Sequence, residues 1–125
     1  MTIISAFMPL GSLNVESAAK VKLLENMLAL GGNFVVAGSF DAAGEDVEVG
    51  GDMTVTGTYT PSASTTRFTN ATEKQTLTAP NGLTLYGFES SAMRLNVNNA
   101  VTVEDHFAVT GGEVALAADM TLKGD

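Results

Sequence analysis

Hydrophobic and polar residues follow two different patterns along the chain, and the pattern changes at Gly31. Between residues 15 and 30 the apolar residues recur every three or four positions, with Val21, Leu24 and Leu28 on one side, as in an amphipathic helix. Gly31 stands where a helix commonly ends in the left-handed conformation,. The spacing therefore predicts one short N-terminal helix.

The residues after Gly31 have the pattern of β-strands. Short runs of Val, Thr, Phe and Tyr alternate with small or polar residues and are separated by Gly, Asn and Asp, as in strands joined by tight turns. Because residues 60–72 contain few apolar residues, we expect a long surface loop there. A turn is expected over residues 79–82, where Pro and Asn-Gly occur,. We therefore expect a mainly β protein with an N-terminal arm and helix over residues 1–30 and a β-rich body over residues 31–125.

The body contains a repeated unit. Residues 31–40 (GGNFVVAGSF) and 50–59 (GGDMTVTGTY) are copies offset by 19 residues. The core of the unit, apolar-x-apolar-x-Gly, starts at Phe34, Met53, Leu83, Phe107 and Met120. These starts are 19, 30, 24 and 13 residues apart, which disfavours a perfectly regular solenoid. Two architectures stay open for the body: a β-helix-like stack with loops of varying length, and a sandwich or jelly roll.

Composition and charge narrow the class of function. The chain has no cysteine, so it has neither disulfides nor thiolate chemistry,. Its formal net charge of −8 would repel nucleic acid and anionic membrane surfaces, and no apolar run is long enough to span a bilayer,. Aromatic residues make up only 6% of the chain, so the core is thin and contacts between subunits are expected to add stability.

The residues that carry chemistry are sparse. His106 is the only histidine, and its neighbour Asp105 would point to the opposite face of a strand,. The acidic residues between Asp41 and Asp52 are the best candidate for a cation site, but their spacing matches no calcium loop,. The preferred interpretation is a solvated turn whose charges keep a strand edge from pairing wrongly. The sequence therefore predicts no enzyme activity, no catalytic residue, no cofactor and no metal.

Two sets of residues are candidates for binding. The N-terminal decapeptide is apolar, and it is predicted either to attach the protein to a partner or to form the first strand of its own sheet. Its candidate attachment residues are Ile3, Ile4, Phe7, Met8 and Leu10. A ligand loop with Tyr59, Arg67 and Phe68 is the second candidate, since aromatic rings at a loop suit carbohydrate,.

The segment Gly50–Thr58 (GGDMTVTGT) resembles phrases common in the fibre, spike and head-decoration proteins of tailed bacteriophages. The resemblance implies a virion structural protein that is often trimeric. The short chain favours a capsid decoration or cement protein, or a short head spike, located on the capsid surface, with the major capsid protein or another virion protein as partner. Two alternatives are kept: a carbohydrate-binding fibre or adhesin module outside a bacterial cell, and a self-polymerising filament subunit.

Overall fold

The computed structural model describes residues 2–4, 11–23 and 27–123, and every regular element among them is a β-strand. Sheet A contains β1 (Thr2–Ile4), β3 (Lys20–Leu23), β6 (Ser39–Asp41) and β9 (Thr58–Thr60). Sheet B contains β4 (Leu28–Leu30), β7 (Val47–Val49), β10 (Thr65–Phe68), β12 (Leu83–Ser90), β14 (Val101–Val109) and β16 (Met120–Leu122). Sheet C contains β2 (Leu13–Val15), β5 (Phe34–Val36), β8 (Met53–Val55), β11 (Lys74–Thr78), β13 (Arg94–Val97) and β15 (Glu113–Leu116).

From β3 to β11 the chain visits the three sheets in rotation, and from β10 onwards it alternates between sheets B and C, so that it winds as a β-solenoid of about six turns,. Every strand pairing is parallel. Sandwiches and jelly rolls are built from antiparallel strands. The β-helix-like alternative is therefore confirmed, and the sandwich or jelly roll is wrong.

The repeated unit of the sequence corresponds to one turn of the solenoid. Phe34 pairs with Met53, and Phe40 pairs with Tyr59, 19 residues further along the chain. Along sheet C, the partners of successive strands from Phe34 are separated by 19, 24, 20 and 19 residues. The larger irregularity in the sequence has two causes. The first two units start in sheet C and the last three in sheet B, and Phe107 lies further along its strand than Leu83 and Met120, which both align with Val101.

The core is a set of ladders formed by the inward residues of successive strands. In sheet C, Phe34, Met53, Leu77 and Val97 lie beside one another and are buried. The aromatic rings stack inside: Phe40 and Tyr59 are parallel with centroids 5.7 Å apart. A second aromatic series contains Phe68, Phe88 and Phe107, with centroid distances of 5.5 and 5.0 Å. Such pairs add about 0.5–1.5 kcal/mol each beyond the area they bury.

A ladder of polar side chains joins the turns at the corner before sheet C. Ser12 Oγ accepts a hydrogen bond from Asn33 N at 3.0 Å, Asn33 Oδ1 from Asp52 N at 2.9 Å, and Asp52 Oδ1 from Thr76 N at 3.0 Å. A side chain on Gly51 would overlap Asn33 Oδ1. Two turns of the solenoid approach closely at this corner, which leaves no room for a side chain at the second glycine of the Gly-Gly-Asn/Asp motif. The Asn or Asp that follows supplies the hydrogen bond between the turns.

Gln75 is a buried polar side chain at the same corner. Its Nε2 donates to the carbonyls of Val49 and Gly51, both at 2.7 Å, and its Oε1 accepts from Asn70 N at 2.8 Å. Residues 69–73 enlarge the turn at this corner. The Gln75 side chain provides hydrogen-bond partners there for the main-chain groups of Val49, Gly51 and Asn70,.

The predicted N-terminal helix is wrong. The described residues of that segment form β2, β3 and β4, and Ala18 between the first two has a φ of 71°, outside the right-handed helical region. Val21 and Leu23 point inward while Lys22 between them is half-exposed, so the same residues also fit a strand. The segment forms a strand because it pairs in parallel with β1 on one side and β6 on the other,.

The predicted loop over residues 60–72 is also wrong in its middle. It contains β10, which lies between β7 and β12 in sheet B. Thr65 and Thr66 are buried there, so a segment poor in apolar residues still forms a central strand. The predicted turn over residues 79–82 is confirmed by a hydrogen bond from Gly82 N to Ala79 O at 2.9 Å,.

Candidate functional site

A ladder of charged side chains crosses four neighbouring turns on the outer face of sheet B. Arg67 donates from Nη1 to Asp46 Oδ2 at 2.8 Å and from Nε to Glu89 Oε1 at 3.0 Å. The other oxygen of Glu89 lies 3.2 Å from His106 Nε2, and His106 Nδ1 lies 3.0 Å from Asp105 Oδ2. We call these five residues the charge ladder.

The parallel register and one irregularity place these groups. Arg67 and Glu89 are direct neighbours on β10 and β12. Between Leu85 and Gly87 the register with β14 shifts, so β14 has one extra residue and His106 becomes the neighbour of Gly87. Such a bulge re-aims the side chains around it, and here it brings two successive residues of β14 into one hydrogen-bonded series.

Gly87 provides the space that His106 occupies. A side chain on Gly87 would overlap the His106 ring and the Thr65 hydroxyl. Gly87 is itself buried, so the imidazole covers its backbone.

The ladder shifts the pKa values of its members. The hydrogen bond to Asp105, and next that to Glu89, raise the pKa of His106 above its usual value. The hydrogen bond from Arg67 lowers the pKa of Glu89. Both effects favour the charged forms, so His106 keeps its proton to a higher pH than a free imidazole and Glu89 stays ionised to a lower pH than a free carboxylate.

A groove of about 400 Å³ lies on sheet C, across β11, β13 and β15. Its lining is formed by Thr76, Arg94, Asn96, Asn98, Ala115, Leu116 and Ala117. Four of these side chains are polar, and the three from β15 and the residue after it are apolar. The groove is therefore a concave surface with hydrogen-bonding groups along one side.

The exposed large apolar side chains are concentrated on the last turns. Met93, Val109, Leu116 and Leu122 have exposed fractions of 44%, 42%, 50% and 53%. Leu116 and Leu122 lie beside the buried residues Val97 and Val103 of the preceding turn. The outermost turn, which contains β15 and β16, thus exposes residues at core positions.

No family model, curated protein or solved structure matches this chain. Among the described residues, no group of three or more His, Cys, Asp and Glu side chains is arranged to hold a metal ion. That part of the chain also contains no helix that is long and apolar enough to cross a bilayer.

The candidate attachment residues are placed only in part. Ile3 and Ile4 belong to β1, where Ile3 pairs with Lys22 and Ile4 with Leu23. Phe7, Met8 and Leu10 lie outside the described residues.

The candidate ligand-loop residues point in different directions. Tyr59 and Phe68 are 8% and 0% exposed and belong to the core. The Tyr59 hydroxyl lies 3.1 Å from Thr66 Oγ1, and burial raises the pKa of this tyrosine. Arg67 points outward into the charge ladder. The three residues therefore do not form one surface, and neither ring is available to stack on a sugar.

Residues of the acidic stretch have separate structural partners. Asp41 Oδ1 accepts from Ala43 N at 2.8 Å, Asp46 Oδ1 accepts from Thr65 N at 3.1 Å, and Asp52 belongs to the corner ladder. Their oxygens thus bind main-chain amides on different parts of the surface.

Neither the charge ladder nor the groove was predicted from the sequence. Arg67 is separated from Asp46 by 21 residues and from Glu89 by 22. These separations are close to the 19-residue repeat, so extending the repeat beyond its apolar core would have aligned the three residues.

Proposed function

We propose that this chain is a non-enzymatic structural protein of a virion surface that assembles with copies of itself and docks on the major capsid protein as a decoration protein or short spike. The observation that carries the proposal is the exposure of Leu116 and Leu122 at core positions of the outermost turn. Large exposed apolar patches commonly mark protein contacts. In this proposal another protein surface covers these residues.

The rest of the molecule suits a rigid building block. The interior is filled by stacked apolar side chains, and adjacent turns are joined by main-chain pairing and by the corner ladder. Stability in such a solenoid comes from contacts between neighbouring turns. A rod of this kind can project from a shell or stiffen it without a separate domain.

Attachment to the capsid is assigned to the apolar N-terminal residues, including Phe7 and Met8. We expect the double variant Phe7→Asp, Met8→Asp to lose at least about tenfold in affinity for the major capsid protein, because charges would replace two apolar contacts. Sedimentation with assembled capsids measures the bound fraction.

Asn14→Asp is the matched control, since Asn14 is exposed on β2 and the variant adds a charge at the same end of the chain. It is expected to bind as the wild type does. Undiminished capsid binding by the correctly folded Phe7→Asp, Met8→Asp variant would contradict N-terminal attachment, and failure of the wild type to bind would contradict the proposed function.

A further inference from the structure

The polar groove of sheet C is shaped by a change in side-chain size between neighbouring strands. Asn96 on β13 lies between Thr76 on β11 and Ala115 on β15. Ala115 and Ala117 leave a step beside the longer side chains of β13, and the resulting space of about 400 Å³ lies within the range of small-molecule sites.

Arg94 fixes the orientation of the first amide in the groove. Its Nε donates to Asn96 Oδ1 at 3.0 Å, and its Nη1 donates to Glu113 Oε1 at 2.6 Å. A guanidinium group only donates, so the accepting atom of Asn96 is its oxygen and its NH₂ group has no partner among the described residues. The groove therefore presents an oriented amide donor.

A second amide and a hydroxyl complete the polar side. Asn98 Nδ2 lies 3.3 Å from Thr78 Oγ1, whereas its Oδ1 has no partner among the residues described. The hydroxyl of Thr76 also makes no hydrogen bond to the described residues. Residues two apart on one strand face project about 7 Å from each other, so donor and acceptor alternate along the groove.

The charge of the groove selects the class of ligand. The guanidinium of Arg94 is balanced by Glu113, and the whole chain has a net charge of −8, so anions gain little there. The opposite side is apolar and contains Ala115, which lies beside Asn96, and Ala117, which lies two residues further along the same face,. A neutral sugar presents hydroxyl groups and C–H faces, which match the polar and apolar sides of the groove.

We infer that this groove binds a neutral oligosaccharide, with Asn96 and Asn98 hydrogen-bonding its hydroxyl groups and the methyl groups of Ala115 and Ala117 contacting its C–H face. The inference goes beyond the proposed structural function and does not depend on it. It also assigns sugar binding to residues other than Tyr59 and Phe68, whose rings are in the core.

The test is nuclear magnetic resonance titration of the full chain, labelled with ¹⁵N, with a panel of neutral oligosaccharides built from glucose, galactose and mannose. At least one sugar is expected to shift the side-chain amide signals of Asn96 and Asn98 and the main-chain signals of Ala115 and Ala117. An acidic, sialylated panel of the same length is expected to produce weaker shifts.

Two variants and a control make the result specific. Ala115→Gln fills the hollow and is expected to weaken binding at least about tenfold, as is Asn96→Ala, which removes a hydrogen bond. Asn14→Ala removes the same type of side chain from an exposed position on another strand of sheet C and is expected to have no effect.

The inference is overturned if no neutral sugar shifts the groove signals, if acidic sugars bind more tightly, or if Ala115→Gln binds as well as the wild type. Loss of sugar binding in these variants leaves capsid binding and self-assembly unchanged. The experiment therefore tests sugar binding separately from the proposed structural function.

Discussion

At the scale of single residues, Gly87 and His106 form a close contact on the outer face of sheet B. The histidine ring occupies the space that any larger residue at position 87 would need. The same ring is held by Glu89 on one side and Asp105 on the other. The bulge in β14 makes His106 the direct neighbour of Gly87.

Replacing Gly87 by Ala is expected to lower the free energy of unfolding by about 1–3 kcal/mol, because the added methyl overlaps neighbouring side chains. Chemical denaturation measures the change. Gly11→Ala is the control, since a side chain there meets no atom nearby.

His106→Ala gives a second check on this contact. The cost of Gly87→Ala should fall in the His106→Ala background, because the ring has been removed. An equal cost in both backgrounds would contradict the assigned contact.

The charge ladder makes stability depend on pH. The pKa of His106 is raised from 6.5, so its stabilisation is present below that value and is lost as the pH rises through the raised pKa,. The pKa of Glu89 is lowered from 4.5, so its stabilisation is present above that value and is lost as the pH falls through the lowered pKa,. Both contributions therefore operate together between about pH 4.5 and 6.5.

The chain has a single histidine, so His106→Asn isolates this effect. The wild type is expected to lose under about 1 kcal/mol relative to the variant between pH 6 and 8, since partly exposed pairs are screened. Thermal unfolding at both pH values measures it. A loss of the same size in His106→Asn would show that other groups cause it.

At the scale of elements, the corner ladder explains why two turns share the motif Gly-Gly-Asn/Asp. Asn33 and Asp52 occupy equivalent positions, and each accepts an amide hydrogen bond from the next turn. The acceptor oxygen, not the charge, is the shared feature.

Asn33→Ala is expected to reduce the free energy of unfolding by about 0.5–1.5 kcal/mol through loss of this hydrogen bond. Asn33→Asp keeps an acceptor oxygen and is expected to cost less. Denaturant unfolding compares the two variants with Asn14→Ala, which removes an exposed amide outside the ladder. Equal stability of Asn33→Ala and Asn33→Asp would argue against the ladder.

Much of the element structure could be predicted from alternation and repetition. The strand-rich body was predicted from the sequence and is confirmed. The two copies over residues 31–40 and 50–59, which the sequence identified as repeats, pair with each other in the structure. The helix was mispredicted because Val21 and Leu28 fit both periodicities, and only the neighbouring strands decide between them. β10 was missed because its buried threonines do not look apolar.

The candidate sites were harder to predict, for a physical reason. Members of the charge ladder and of the groove are about one turn apart in sequence, and the parallel register alone brings them together. The bulge next to His106 also has no evident sequence signal. Local pattern therefore predicts strands better than it predicts surfaces formed by several strands.

At the scale of the whole molecule, one surface differs from the rest. The outermost turn exposes Leu116 and Leu122 at positions that are buried on the preceding turn. No described strand pairs with the outer edge of β15 or β16. Unpaired edges and exposed apolar residues together favour association with another surface.

Leu122→Glu is therefore expected to weaken self-assembly at least about tenfold, because a charge would enter the contact. Thr121→Glu is the matched control, since it adds the same charge to the neighbouring exposed residue of β16. Circular dichroism checks that both variants remain folded. Equal assembly of the two variants would contradict the role of this surface.

The solution mass of the chain, measured by light scattering over a range of concentrations, tests the central claim most directly. The account predicts a homotrimer with three times the 12.9 kDa mass of one chain, independent of concentration. A mass that grows with concentration would favour the filament alternative. A stable monomer at all concentrations would contradict self-assembly.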